Sequence, residues 1–196
     1  MKIAVMIMAA GQSKRFGGCK LLSQLDSGHS LLSHAVDIAL GSKVGPVFVV
    51  TGRWHSEIEH AQHEGSLPSV PLLYNAKWSE GLGNSIAHGV RTLAADYDAI
   101  LITLADQVAL HGADLIQISE LAQTERIVCS HYNGKRAVPA LFPASCFEQL
   151  MQLQGEHGAR HLLRGDVLPV CEIPLSNAAF DIDTPQRLAE WIAFNR

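Results

Sequence analysis

The residues AAGQSKRFGGCK occupy positions 9–20 and set the interpretation of the rest of the chain. They follow an apolar run at positions 3–8 that predicts a buried β-strand. Glycines let backbone N–H groups approach a ligand closely, and lysine and arginine supply positive charge for phosphate oxygens. A strand that runs into such a loop predicts a polyphosphate-binding site. The glycines and the polar or charged side chains of the loop are Gly11, Gly17, Gly18, Ser13, Lys14, Arg15 and Lys20.

Two common phosphate-binding loops do not fit this segment. The P-loop requires G-x-x-x-x-G-K-[ST], but five residues separate Gly11 from Gly17, and Lys20 is followed by Leu21. The dinucleotide fingerprint G-x-G-x-x-G fails because position 13 is Ser13. The pattern that remains is A-A-G-x-x-x-R-x-G-x-x-K-L-L.

Length and composition are ordinary for a soluble α/β protein and argue against several other classes. The 196 residues suffice for one domain, and 47% of them are hydrophobic while 17% are charged. A formal net charge of −4 argues against nucleic acid or an anionic membrane as the main partner. No apolar run approaches the roughly 20 residues of a membrane span. The four cysteines form no C-x-x-C pair, which favours reduced thiols in a cytoplasmic protein.

The order of the predicted elements indicates the fold. Strands alternate with helices over the first 130 or so residues, which predicts βαβ units and a mainly parallel sheet. The turn at Asn133-Gly134 predicts a small antiparallel part in the C-terminal half. The predicted strands are 3–8, 47–50, 70–74, 99–104, 127–130, 139–142, 167–173 and 179–182, and the predicted helices are 30–40, 56–64, 84–93, 113–121, 146–153, 158–163 and 185–194.

Four segments fall where ligands bind in an open parallel sheet, beyond the carboxyl ends of the strands. The first is the opening loop at 9–20, and the second is W-S-E-G-L-G-N-S at 78–85, which is also typical of a capped helix start. The third segment holds Asp106, directly after an apolar strand, and the fourth holds Asp183 after Asp181. Mg²⁺ takes one or two carboxylates together with phosphate oxygens, so the two segments favour a metal–NTP site. A turn or helix-capping aspartate is the alternative interpretation of each.

A longer series of motifs resembles one enzyme family over nearly the whole chain. The series consists of the opening loop, V-V-T-G, W-x-E-G-L-G-x-S, a D-Q after the fourth strand, Y-N-G-x-R-x-x-P-x-L-F, G-x-x-G-A-R-x-L-L and D-I-D-T-P. It is similar to the molybdenum cofactor cytidylyltransferases and to the related guanylyltransferases that make molybdopterin-guanine dinucleotide. The resemblance implies a three-layer α/β/α, Rossmann-like nucleotide-diphospho-sugar transferase fold, with residues 1–196 as a single NTP-transferase domain. It also implies transfer of CMP from CTP to molybdopterin with release of pyrophosphate.

The resemblance assigns roles to individual residues of this chain. Nucleotide binding would fall to the opening loop and to the segment after the third strand, and Mg²⁺ would be the cofactor. The nucleotide-binding residues would be Ala9, Ala10, Gly11, Ser13, Arg15, Lys20, Gly81, Gly83 and Ser85. The metal ligands would be Asp106 and Asp183, and the catalytic residues would be Arg15, Lys20 and Asp106, through charge neutralisation.

Two departures from the family pattern keep the acceptor open. The family's G-D-x-P is replaced by Ala105–Val108, and its G-H-P by Ala137–Pro139. The acceptor is therefore molybdopterin or another phosphate-bearing compound such as a sugar phosphate or alditol phosphate. A non-catalytic carrier that hands a cofactor to a molybdoenzyme partner is a further alternative. CTP is favoured over GTP because Ala10 carries a methyl group where the guanylyl type tends to have glycine.

Overall fold

The computed structural model describes residues 1–25 and 27–195, which fold into seven β-strands, six α-helices and several short 3-10 turns. The strands are β1 (Ile3–Ala9), β2 (Val47–Thr51), β3 (Leu72–Tyr74), β4 (Ala99–Leu104), β5 (Ile127–Tyr132), β6 (Lys135–Pro143) and β7 (Val170–Pro174). The helices are α1 (Leu31–Ser42), α2 (His55–His63), α3 (Leu82–Leu93), α4 (Gly112–Glu120), α5 (Phe147–Met151) and α6 (Pro185–Phe194).

All seven strands form one sheet in the order β3-β2-β1-β4-β6-β5-β7. Only β6 runs against the others, and it pairs antiparallel with both β4 and β5. The predicted parallel sheet with a small antiparallel part is therefore confirmed. Pro71 directly precedes the short β3, which lies at one edge of the sheet. The N–H that proline lacks is tolerated at such an edge.

Helices cover both faces of the sheet, which confirms the predicted three-layer α/β/α class. One face packs under α1, α2 and α4, and the other packs under α3 and α5. The strands are apolar on both sides as a consequence, and all seven residues of β1 are buried. A third, smaller cluster lies under α6 and contains Leu25, Leu31, Val108 and Ile182.

The central position of β1 puts the opening loop in the middle of the sheet's carboxyl edge. In the register of β1 and β4, Met8 lies beside Leu104, and the N–H of Ala105 donates to the carbonyl of Met8 at 3.3 Å. The residue that follows, Asp106, therefore lies next to the loop that begins after Ala9. Parallel pairing alone brings these two predicted site segments together.

Two predicted elements are wrong. Residues 179–182 are not a strand: Ala179 is the last residue of a 3-10 turn that begins at Ser176, and the N–H of Ile182 donates to the carbonyl of Asp106 at 3.0 Å. The apolar residues of this segment pack in the cluster under α6, where the ring centroids of Phe180 and Trp191 are 5.1 Å apart. The predicted helix at 158–163 is a series of turns with one 3-10 turn at Leu162–Arg164.

Other boundaries shift by a few residues. β6 begins at Lys135 rather than at 139, and β7 begins at Val170 rather than at 167. Side chains cap the starts of α1 and α6, since the Ser30 hydroxyl accepts the N–H of Ser33 and the Thr184 hydroxyl accepts the N–H of Arg187. Within the described residues, no helix combines the length and the apolar character needed to span a bilayer.

Candidate active site

A cavity of about 470 Å³ opens at the carboxyl ends of β1 and β4. The opening loop lines it from one side, the segment between β3 and α3 lines it from another, and two aspartates lie at its polar end. Lining residues that the sequence predicted are Ala9, Ala10, Gly11, Ser13, Arg15, Lys20, Gly81, Ser85, Asp106 and Asp183. The structure thus gathers all but one of the predicted site residues around one space.

The opening loop is held in a tight conformation by its own backbone. Ser13 has a positive φ of 57°, and its carbonyl accepts the N–H groups of Phe16 at 3.0 Å and Gly17 at 3.2 Å. The indole N–H of Trp54 donates to the carbonyl of Gln12 at 3.3 Å, which ties the loop to the segment after β2. A Cβ added at Gly11 would meet no protein atom within 4 Å, so its backbone faces open space.

Lys20 joins the two predicted metal ligands. Its Nζ donates to Oδ2 of Asp106 at 2.6 Å and to Oδ1 of Asp183 at 2.9 Å, and only 12% of its side chain is exposed. Burial lowers the pKa of Lys20 because it disfavours the charged ammonium. The charge of Asp106 and the hydrogen bonds to both carboxylates have the larger combined effect, so the pKa of Lys20 is raised. A fixed positive charge therefore lies between two carboxylates that are 86 and 163 residues away in the chain.

Arg15 completes the charged cluster from the exposed side. Its Nη2 donates to Oδ2 of Asp183 at 2.7 Å, and 72% of its side chain is exposed. Burial favours protonation of Asp183, but the hydrogen bond and charge of Lys20, followed by the charge of Arg15, lower its pKa. Asp183 is thus held as a carboxylate. By contrast, burial and then the charges of Asp183 and Asp106 raise the pKa of Asp181.

One oxygen of Asp106 has no partner. Among the described residues, no hydrogen bond reaches Oδ1 of Asp106, although the atom is buried. A buried carboxylate oxygen without a partner is costly unless a cation or donor reaches it. No group of three or more His, Cys, Asp or Glu side chains within 1–25 and 27–195 is arranged to hold a metal ion. The residues present fit a cation that takes two carboxylates from the protein and its remaining oxygens from a ligand, as Mg²⁺ does.

Gly83 is the predicted site residue that does not line the cavity. A Cβ at Gly83 would lie 2.7 Å from the carbonyl oxygen of Gln154, and one at Gly81 would lie 2.5 Å from the backbone of Gly155. The start of α3 therefore packs directly on the loop after α5, and these glycines permit that close approach. The same loop brings Glu156 to the cavity, a residue that the sequence did not single out.

Asn75 is a second residue that sequence reasoning missed. It is buried, and its Nδ2 donates to Oδ1 of Asn84 and to Oγ of Ser85, both at 3.0 Å, while its Oδ1 accepts the N–H of Lys77 at 3.0 Å. Asn75 therefore fixes the start of α3 and the hydroxyl of Ser85 at the cavity wall. A polar residue directly after β3 was the only signal of this role.

Gln107, part of one departure from the family pattern, has a structural role. Its side chain is buried, and its Nε2 donates to the carbonyls of Val138 on β6 and Ala178 before Asp181, both at 2.9 Å. These bonds tie the end of β4 to β6 and to the segment that carries Asp183. Gln107 thus acts on the site by positioning its walls.

Replacing Gln107 by leucine is expected to lower the free energy of unfolding by about 1–3 kcal/mol, because two buried carbonyls lose their donor. Urea unfolding of the two forms measures the difference. The matched control is Gln152→Leu, at an exposed position at the end of α5. Equal stability of the two variants would contradict the role given to Gln107.

Comparison with known proteins assigns the family. The MobA-like NTP transferase domain matches residues 5–170 of the chain. The chain belongs to this family. A curated relative, the purine catabolism protein PucB of Bacillus subtilis (strain 168), is 33% identical over 191 residues, and the match covers 92% of this chain and 91% of PucB. The resemblance noted in the sequence is confirmed at the level of the MobA-like nucleotidyltransferases.

Solved structures show the same fold at low identity. Rv0371c of Mycobacterium tuberculosis H37Rv, solved in complex with manganese, superposes with a TM-score of 0.81 at 20% identity, over 98% of this chain and 99% of that one. Molybdopterin-guanine dinucleotide biosynthesis protein A of Archaeoglobus fulgidus superposes with a TM-score of 0.71 at 15% identity, over 98% of both chains. These likenesses show that the MobA-like chain has the nucleotidyltransferase fold.

Proposed function

We propose that this MobA-like protein transfers CMP from CTP to molybdopterin and releases pyrophosphate. The observation that carries the proposal is the convergence of Asp106 and Asp183 on Lys20, with Arg15 beside them, at the polar end of a cavity lined by the opening loop. Two carboxylates and two cations in one place suit a metal-bound triphosphate better than they suit a passive carrier site.

Asp106 and Asp183 would hold the divalent cation, for which Mg²⁺ is proposed. The unpartnered Oδ1 of Asp106 supports a cation at this position, as does the pair of carboxylates. The manganese bound to Rv0371c gives further support from a protein of the same fold. When bound, the cation would neutralise part of the phosphate charge that builds up as pyrophosphate leaves.

The side chains of the chain supply positioning and charge. Arg15 is exposed enough to turn from Asp183 to the triphosphate, and a guanidinium can bind two phosphate oxygens at once. Lys20 is held by two carboxylates and points its charge into the same space. Ala9, Ala10, Gly11 and Ser13 would surround the base, ribose and phosphates, and Gly81 and Ser85 would close the other wall.

No general base is assigned. The attacking group is a phosphate monoester, which is already ionised near pH 7, so its oxygen needs no proton removed before it attacks the α-phosphorus. Positioning in line and stabilisation of the developing charge then account for catalysis. No histidine, serine or cysteine of the site is given a chemical role.

CTP is proposed over GTP on steric grounds. Ala10 is buried against the core under α3 and also lines the cavity, so its methyl group narrows the space at the end of β1. One methyl group in a pocket accounts for about 1–3 kcal/mol of discrimination. The guanylyl transfer of the related enzymes is the alternative within the family.

A nucleotide panel tests the proposed function. The protein is incubated with Mg²⁺, each of CTP, GTP, ATP and UTP, and either molybdopterin or a sugar or alditol phosphate as acceptor, and pyrophosphate release is measured. Turnover is expected with CTP, and Ala10→Gly is expected to increase the share of GTP turnover. Equal or faster turnover of GTP by the unmodified protein would overturn the cytidylyl assignment, and turnover only with sugar or alditol phosphates would overturn molybdopterin as the acceptor.

A further inference from the structure

A second cavity, of about 370 Å³, lies on the C-terminal half of the sheet. The β5–β6 hairpin contributes His131 and Arg136, the turns after α5 contribute Arg160 and Arg164, and β7 contributes Glu172. Three arginines around one opening are unusual for a protein with a net charge of −4. No part of the proposed nucleotide site uses them.

One of the three arginines is fully engaged by the fold. Nε of Arg136 donates to Oε1 of Glu172 at 2.7 Å, and its Nη1 donates to the carbonyls of Leu163 and Arg164, both at 2.9 Å. The other carboxylate oxygen of Glu172 lies 3.7 Å from Nε2 of His131. Arg136 and Glu172 therefore hold the cavity wall together and balance each other's charge.

The other two arginines are not balanced. Within the part of the chain that the structure describes, the side chains of Arg160 and Arg164 make no hydrogen bond or ion pair. Both are exposed, and both line the cavity. The carbonyl of Arg164 is fixed by Arg136, so the backbone beneath these two charges is anchored while the guanidinium groups stay available.

This second cavity lies at the same edge of the sheet as the nucleotide cavity, the edge where β4 ends. Because β6 is antiparallel to β4, its first residues, including Arg136, lie at the carboxyl edge where Asp106 lies. The carbonyl of Val138, two residues along β6, accepts the amide of Gln107. Two residues of strand span roughly 7 Å, so the backbone of Arg136 lies about that far along β6 from the carbonyl that Gln107 contacts.

Two further observations connect the cavities. The loop after α5 lines both, since Glu156 faces the nucleotide cavity and Arg160, four residues later, faces the second one. The charges of both ends act on Tyr132 of the same hairpin: burial and then the charges of Asp181 and Asp106 raise its pKa, while the charge of Arg160 lowers it. A small molecule that extends from the metal end of the first cavity along β6 would therefore run toward Arg160 and Arg164.

We propose that Arg160 and Arg164 bind an anionic group of the acceptor, at the end remote from its attacking phosphate. The inference rests on the proposed function, because it is the acceptor that extends from Asp106 away from the nucleotide. The two guanidinium groups suit an oxyanion, which accepts several N–H bonds at once. The acceptor is thereby held at both ends, and its phosphate is oriented toward the α-phosphorus.

Tungstate is the probe for the anion site, because it is an oxyanion that crystallography locates by anomalous scattering. Crystals of the full chain are soaked in tungstate, and its binding in solution is measured by calorimetry. The wild type is expected to hold tungstate between Arg160 and Arg164 in the crystal. R160Q/R164Q is expected to show no tungstate at that position and to bind it at least tenfold more weakly in solution. Lys135→Gln, an exposed charge on the same hairpin outside the cavity, is expected to bind as the wild type does.

Steady-state kinetics then test the link to the acceptor. R160Q/R164Q is expected to raise KM for the acceptor at least tenfold and to leave KM for CTP within twofold of the wild type. If the wild type binds tungstate in the cavity but transfers nothing to molybdopterin, the proposed acceptor fails while the anion site stands. If transfer proceeds and the double variant keeps the wild-type acceptor KM, or keeps tungstate in the cavity as an adventitious ion only, the inference is overturned.

Discussion

Asp106→Asn is expected to lower kcat at least about 10³-fold while the protein stays folded. Asparagine has the shape of aspartate, but it lacks the negative charge that the proposed cation requires. It also leaves Asp183 as the one carboxylate paired with Lys20 in the described part of the chain, which weakens the fixed charge pattern around the triphosphate. Pyrophosphate release under saturating CTP, Mg²⁺ and acceptor measures the loss, and circular dichroism with urea unfolding confirms the fold.

Asp96→Asn is the matched control for this variant. Asp96 lies on the surface after α3, and no side-chain bond to it is present among the described residues. The control is expected to retain wild-type turnover. Turnover by Asp106→Asn within tenfold of the wild type would remove Asp106 from the catalytic machinery, and with it the proposed metal site.

Lys20→Met is expected to lower kcat/KM for CTP about 10²–10³-fold, which is the usual loss when one preorganised charge is removed from a site. The methionine side chain has a similar length and fits the mostly buried position of Lys20. Lys20 lowers the pKa of Asp183, so removal of the lysine charge is expected to raise that pKa. The acid limb of the pH–rate profile should then move to higher pH. Initial rates across a pH series measure both effects.

The control for Lys20→Met is Lys43→Met, at the exposed end of α1. This control removes the same charge outside either cavity and is expected to leave both kcat/KM and the pH profile unchanged. An unchanged acid limb in Lys20→Met would contradict the coupling between Lys20 and Asp183. An unchanged kcat/KM would separate Lys20 from triphosphate binding.

The sequence was sufficient to predict the fold class and the meeting of the opening loop with Asp106. Both follow from local signals: apolar runs of strand length, and polar residues directly after them. In a parallel sheet such residues share one edge, so the convergence of Lys20 and Asp106 needs no long-range information. Asp183 was also predicted correctly to lie near Asp106, although for a partly mistaken reason.

The mistaken reason was the strand predicted at 179–182. Alternation of apolar and polar residues indicates that one side is buried, but it does not say what buries it. Here Phe180 and Ile182 pack under α6 rather than in the sheet, and Asp183 reaches the site because Ile182 bonds to the backbone of Asp106. Only the tertiary arrangement distinguishes the two cases.

The residues that position the site were not predictable for a different reason. Asn75 and Gln107 both follow strands, where a polar side chain gives the same pattern whether it faces a ligand or bonds to backbone. Arg160 lies in the motif G-x-x-G-A-R-x-L-L and Arg164 directly follows it, but the absence of ion partners is a property of the folded surface. The sequence motifs marked their positions without indicating their contacts.

The central claim, nucleotidyl transfer at the Asp106–Asp183–Lys20 cluster, is tested most directly by following the α-phosphorus of CTP. CTP labelled at that atom is incubated with the protein, Mg²⁺ and molybdopterin, and the label is traced by chromatography while pyrophosphate is measured. The account predicts that one label reaches the acceptor for each pyrophosphate released, and that neither product forms in Asp106→Asn. Label that appears only as free CMP, or label transfer that persists in Asp106→Asn, would contradict it.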